Sequence, residues 1–136
     1  MPVNILIVED EFLIALEMEE VIRDLGHACI GVADNVNAAL SMANDQIDVA
    51  LVDVNLSDGA TGPLIGKRLA EEFRIDVIFV TANPAQLGDG VEGTLGAVEK
   101  PVDLAILKEV LDFVLAIKRG ETTPSQPEKL KLFCAD

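Results

Sequence analysis

Glu9-Asp10, Asp53, Thr81 and Lys100 are the residues of this chain whose types and spacing could do chemistry together. Each stands at the end of a short apolar run. Ile5-Leu6-Ile7-Val8 leads to the acid pair, Val49-Ala50-Leu51-Val52 to Asp53, Val77-Ile78-Phe79-Val80 to Thr81, and Gly96-Ala97-Val98 to Glu99-Lys100-Pro101. If the runs are parallel strands, their ends converge on the crevice at the carboxyl edge of the sheet, where open α/β sheets bind ligands. Carboxylates crowded there repel, and one takes up a proton at neutral pH unless a cation intervenes. All-oxygen ligands of this kind suit Mg²⁺, which keeps several waters and takes one or two carboxylates plus a phosphate oxygen. Lys100 adds a positive charge opposite the acids and Thr81 a hydroxyl donor, both suited to the oxygens of a phosphoryl group on Asp53. A carboxylate can itself be the nucleophile in such a transfer. The reaction then asks of the protein mainly positioning and charge neutralisation. Pro101 sets the turn after Lys100, and Lys100-Pro101 is the candidate for a cis peptide bond.

The elements that must position these residues follow a strand–helix rhythm with short connections. Strands are expected over 4–9, 28–33, 48–53, 76–81 and 96–99, and helices over 11–25, 36–44, 63–73 and 103–118. Gly26 stands where a helix C-cap is needed, Asp34 or Asn35 and Asp103 stand at N-cap positions, and Pro63 suits a first helical turn. Between Asn83 and Gly96 the chain carries Gly88, Gly90, Gly93 and Gly96, so any helix there is expected to be short or mobile. The pattern implies an α/β fold, a doubly wound five-stranded parallel sheet in the flavodoxin-like order 2-1-3-4-5 with helices on both faces. Residues 1–119 are expected to form the domain. Residues 120–136 read as a linker-like, flexible tail, from Glu121-Thr122-Thr123-Pro124-Ser125-Gln126-Pro127 to Lys129-Leu130-Lys131-Leu132-Phe133.

Composition bounds the function. The formal charge is −14, with 24 acids against 10 bases and no basic cluster. Nucleic-acid binding depends on neutralising phosphates with Lys and Arg, so none is expected. No apolar run approaches the ~20 residues of a membrane span, and Met1-Pro2-Val3-Asn4 enters a strand without a basic stretch, so no leader is expected. Cys29 and Cys134 make no disulfide framework, and with one histidine they make no zinc site. A reducing cytoplasm is the expected setting. Cys29 reads as a small core residue and His27 as a solvated loop residue.

Glu9-Asp10, Asp53, Thr81-Ala82 and Lys100-Pro101, in this order and spacing, resemble a response-regulator receiver domain of the stand-alone type, over about residues 3–118. The resemblance implies that Asp53 is the phosphoacceptor, taking its phosphoryl group from a histidine kinase or a histidine phosphotransfer protein. It implies that Asp10 and Asp53 bind Mg²⁺ directly, Glu9 through water, with the Asn55 main-chain carbonyl as a further ligand. Thr81, Ala82 and Lys100 would contact the phosphoryl group. Such a protein would signal through contacts with an unknown downstream protein. Two features depart from the common pattern. Ser57 stands where many receivers have Pro, and Ala97 stands where many carry an aromatic residue that couples to the Thr. The loop Asp58-Gly59-Ala60-Thr61-Gly62 is similar to a subset that includes receivers of the general-stress-response type, with a comparable Thr81-Ala82-Asn83-Pro84.

Two surfaces could carry partners. On the helix 103–118, Leu104, Leu107, Leu111, Val114 and Leu115 are expected to face the sheet, while Ile106, Val110, Phe113 and Ile117 form a second apolar stripe. That stripe suits either cover by the tail residues Leu130, Leu132 and Phe133 or an interface, including a homodimer. On the first helix, Phe12, Leu13 and Leu16 lie outside the core face beside the acid pair, where a phosphodonor would dock. Two other functions compete. A haloacid-dehalogenase-like phosphohydrolase would need a second Asp two residues after its nucleophile, and Asn55 stands there. A receiver-derived interaction module that is never phosphorylated would not need the full set of site residues.

Overall fold

A computed structural model describes residues 3–121 and 125–133. Strands β1 (Asn4–Val8), β2 (Ala28–Ala33), β3 (Val49–Asp53), β4 (Asp76–Thr81) and β5 (Gly96–Glu99) pair in parallel in the order β2-β1-β3-β4-β5. Helices α1 (Phe12–Asp24), α2 (Val36–Met42), α3 (Gly62–Phe73) and α4 (Leu104–Lys118) connect or follow them. A parallel sheet covered on both faces needs strands that are apolar on both faces. β3 shows this most fully, since all five of its residues are buried. Val49 and Leu51 pack with α1 and α4, while Ala50 and Val52 pack with α2 and α3. Each fully buried Val, Leu, Ile or Phe contributes about 1.5–3 kcal/mol, so the two layers hold the sheet's edge of charged residues in place.

The helix ends follow local rules. The Asn35 side chain accepts from the Ala38 amide at 2.9 Å and the Asp103 side chain from the Ile106 amide at 2.8 Å, capping α2 and α4. Between β4 and β5 the glycine-rich stretch forms a single 3₁₀ turn, Pro84–Leu87, as its composition predicts. Gly88 at φ 56° and Gly90 at φ 121° explain why no longer helix forms there.

The sheet has a sixth strand. Leu130–Leu132 (β6) pairs antiparallel with β5, matching Gly96 to Leu132 and Val98 to Leu130. The expectation of a flexible tail is therefore corrected for residues 125–133, while Thr122, Thr123 and Pro124 lie outside the described residues. The cause is the alternation Leu130-Lys131-Leu132-Phe133, a strand period of two. Leu130 and Leu132 join the α1/α4 layer, and Phe133 joins the α2/α3 layer.

This strand also decides the second stripe of α4. Val110 and Phe113 are buried, in one cluster with Leu130, so they are core residues and not a partner surface. Ile106 is half-buried against the same cluster, and Ile117 alone of the four is exposed. Leu104, expected to face the sheet, is 56% exposed instead, on the rim of an open cavity that it shares with Ile14, Met18 and Val21 of α1 and Val80 of β4. His27 differs as well. It is half-buried, and its Nδ1 accepts from the Val3 amide at 3.1 Å. Cys29 is half-buried, and burial pushes its thiol up to about 11, which leaves it unreactive. Cys134 lies outside the described residues. Among the described residues no helix is long and apolar enough to cross a membrane.

Candidate functional site

β1, β3, β4 and β5 deliver their terminal residues to one edge. Glu9 follows β1, Asp53 ends β3 and Thr81 ends β4, and all three are buried, the only charged or polar residues so placed among those described. Carboxylate oxygens of Glu9, Asp10 and Asp53 lie within 4.8 Å of one another. Asp10 is exposed, so the cluster opens to solvent on its side. The Lys100-Pro101 peptide is cis, as expected.

Lys100 closes the cluster. Its Nζ donates to Glu9 Oε1 at 3.0 Å and to Asp53 Oδ2 at 3.2 Å. The amides of Asp10 and Glu11 donate to Glu9 Oε2 at 3.1 and 3.2 Å. Glu9 is thus held on both oxygens, which orients it and satisfies a group that would otherwise be costly to bury. Burial pushes the Glu9 carboxyl up to about 7, helped by hydrogen bonding with Asp53, while Lys100 and the Glu11 amide pull it back. For Lys100, burial acts downward, but its bond and charge pairing with Glu9, joined by Asp53, outweigh it and raise the ammonium.

The remaining walls come from loops. Asn55 is exposed, its amide lies 3.4 Å from Asp53 Oδ1, and its side chain pairs with Gln86 across the mouth at 3.4 Å in both directions. Ala82 lines the same depression as Asp10, Asp53 and Lys100. Thr81 Oγ1 accepts from the Asn83 amide at 3.1 Å, and the Thr81 carbonyl accepts from the Lys100 amide at 2.8 Å. The β3–α3 loop is pinned at several points. Leu56 and Gly59 exchange backbone hydrogen bonds at 2.8 and 3.0 Å, and Leu56 is buried. Ser57 Oγ donates to the Asp34 carbonyl at 2.7 Å, and Asp58 accepts from the Val36 amide and the Thr61 hydroxyl. Gly62 is obligatory here, since a Cβ would stand 2.1 Å from the Asp53 carbonyl oxygen.

The donor set fits a small hard cation: three clustered carboxylates, one of them open to solvent, with a carbonyl-bearing loop alongside. A cation among them would offset the repulsion that now falls on Glu9. The structure gathers the residues that the sequence singled out, Glu9, Asp10, Asp53, Thr81, Ala82 and Lys100, at one edge of the sheet. Sequence reasoning missed the Lys100–Glu9 pair, the Asn55–Gln86 clasp and the ties from Ser57 and Asp58, none of which has a local signal.

The family model of the response regulator receiver domain matches residues 5–112. The chain belongs to this receiver family. The receiver is 38% identical over 92 residues to the phyllosphere-induced regulator PhyR of Methylorubrum extorquens, covering 66% of this chain and 34% of that protein. The solved receiver domain of Erythrobacter litoralis PhyR superposes with a TM-score of 0.76 at 31% identity, covering 92% of this chain and 96% of that one. The anti-anti-sigma factor PhyR from Bartonella quintana gives 0.73 at 29%, covering 88% of this chain and 50% of that one. The receiver spans less than half the length of the curated relatives it matches.

Proposed function

We propose that this receiver accepts a phosphoryl group on Asp53 from a phosphohistidine of a histidine kinase or a histidine phosphotransfer protein, and signals through protein contacts in the cytoplasm. The observation that carries this reading is Lys100 Nζ lying between Glu9 and Asp53 at the mouth of the sheet. An Asp53 oxygen attacks phosphorus, an O–P bond forms as the donor's N–P bond breaks, and the histidine nitrogen keeps the bonding pair. Lys100 then shifts from a carboxylate to the phosphoryl oxygens, and the Thr81 hydroxyl and the Ala82 amide supply further donors. Glu9, Asp10, Asp53 and the Asn55 carbonyl would hold Mg²⁺, which supplies charge neutralisation for the transferring group. Phe12 and Leu13, 76% and 70% exposed, stand with Leu16 beside Asp10 and offer the donor an apolar landing surface. Because the Bartonella relative is an anti-anti-sigma factor, a protein controlling a sigma factor is the first downstream partner to test.

Acetyl phosphate with Mg²⁺ should add one phosphoryl group, read by intact mass, and Asp53→Asn should abolish the adduct completely. An adduct that persists in Asp53→Asn, or none in the unaltered chain, overturns the assignment.

A further inference from the structure

β5 would be an open edge of the sheet without β6, and the face around it is shaped for the strand that covers it. A Cβ on Gly96 would lie 2.4 Å from the Lys131 carbonyl oxygen, and one on Gly90 would lie 2.5 Å from the Phe133 ring. Both glycines leave room for residues 131–133. The Phe133 ring tilts against Phe79 at 6.3 Å between centroids. Phe79 is paired in register with Ala97, and all three residues share one cluster, so the small side chain at 97 leaves the space beside the ring free.

The same strand is fastened to the segment that leaves the site. The Phe133 amide donates to the Leu95 carbonyl at 3.0 Å, and Lys131 Nζ donates to the Gly88 carbonyl at 3.1 Å. At its other end this 83–95 segment is fastened to the pocket, through Asn83 to Thr81 Oγ1 and through Gln86 to Asn55. A second link is shorter. Lys100 follows Glu99, whose amide faces the Lys129 carbonyl at 3.4 Å. Both side chains assigned to the phosphoryl group therefore abut backbone that holds the tail.

We propose that residues 129–133 are an output element of this receiver, a strand that covers the β5 edge while Asp53 is unmodified and leaves it when Asp53 carries a phosphoryl group. The inference rests on the phosphoacceptor reading of Asp53. A phosphoryl group brings roughly two negative charges and three acceptor oxygens to the pocket. Lys100 Nζ is drawn from Glu9 toward it. Thr81 is fully buried on its strand, so its hydroxyl re-aims by rotating about χ1, which takes Oγ1 away from the Asn83 amide. The start of the 83–95 segment is then released, and with it the Gly88 carbonyl that holds Lys131. Leu95 stays on β4 through its amide bond to the Val77 carbonyl, so Phe133 keeps its bond to Leu95 but has one tie fewer beside it. The uncovered β5 edge presents unpaired backbone groups that an extended segment of another protein can pair with.

Amide exchange of the full chain, with and without beryllofluoride and Mg²⁺, tests this directly. Residues 130–133 should lose protection on loading, while β1 and β3 keep theirs. Because coupling is reciprocal, Phe133→Ala and the milder Lys131→Met should bind beryllofluoride at least about fivefold more tightly, the low end of ordinary coupling. Acetyl phosphate and intact mass on the same sample separate the two ideas. An Asp53 adduct with unchanged tail protection overturns the output role alone, whereas no adduct removes the phosphoacceptor reading and the inference with it. Tail variants that lower stability but leave beryllofluoride affinity unchanged show a structural strand only and also overturn the proposal.

Discussion

The two walls of the pocket are built in opposite ways. On the acid side, the β3–α3 loop is short, pinned by Ser57, Asp58 and the Leu56–Gly59 pair, and leads directly into α3 behind Gly62. On the Thr81 side, the chain from Asn83 to Leu95 is longer, is folded by one 3₁₀ turn and by short turns at Leu87–Gly90 and Val91–Thr94, and gives its Gly88 and Leu95 carbonyls to β6. The acid side is therefore held by hydrogen bonds to the β2–α2 loop, by the Leu56–Gly59 pair and by close backbone packing at Gly62. The Thr81 side depends on a strand that arrives more than thirty residues later in the chain. The first wall is tied across to the neighbouring β2–α2 loop, whereas the second is closed by short-range turns, and a wall ordered mainly by such turns is the part that can open locally.

Breaking the acid wall should have the largest effect on stability. Gly62→Ala forces a methyl group into the Asp53 and Val54 backbone, and should cost about 3 kcal/mol, the upper range of overpacking, in urea unfolding. A cost near zero would mean that this wall yields as easily as the other. Leu130→Ala attacks the opposite wall. Its side chain is 3% exposed in the α1/α4 layer, so the change should cost about 2 kcal/mol, the low end for a buried leucine near an edge. If stability does not change, β6 contributes nothing to the fold and the contrast between the walls loses its basis.

The smallest effect belongs to neither wall and sharpens the contrast from the far end of the sheet. Burial lowers the His27 pKa from its ordinary 6.5, and the charge of Arg119 adds to the effect. Its neutral Nδ1 also accepts from the Val3 amide. A depressed folded-state value means that the unfolded chain binds more protons, so this contribution is present above pH 6.5 and is lost as pH falls through the folded value. His27→Gln should therefore show a shallower loss of stability on acidification below that pH. The difference between the two profiles isolates His27 from the carboxyl groups titrating nearby. Identical profiles would show that the contact has no energetic weight.

Much of this was legible in the chain itself. Apolar runs of three or four residues, each followed by a group that could do chemistry, place strands and site residues together, because both a strand's period and its end are local properties. The caps at Asn35 and Asp103 and the glycine-broken stretch before β5 are equally local. The second stripe of α4 was not decidable in this way. Val110 and Phe113 are apolar whether a partner or the tail covers them, and only the path of residues 125–133 settles which. His27 misleads for the same reason, since its partner Val3 lies 24 positions away.

What the sequence determined by itself is which groups stand at the strand ends: acids of the kind that suits a hard cation, together with a hydroxyl and an ammonium. The tertiary structure alone decided how those groups are balanced and what they are attached to. Lys100 meets residues 91 and 47 positions away, and this contact is what makes Glu9 a held, oriented carboxyl. β6 meets β5 and the 83–95 segment across the whole of α4. Residue type and periodicity act over a few positions, whereas pairing between distant elements depends on the closure of the entire sheet.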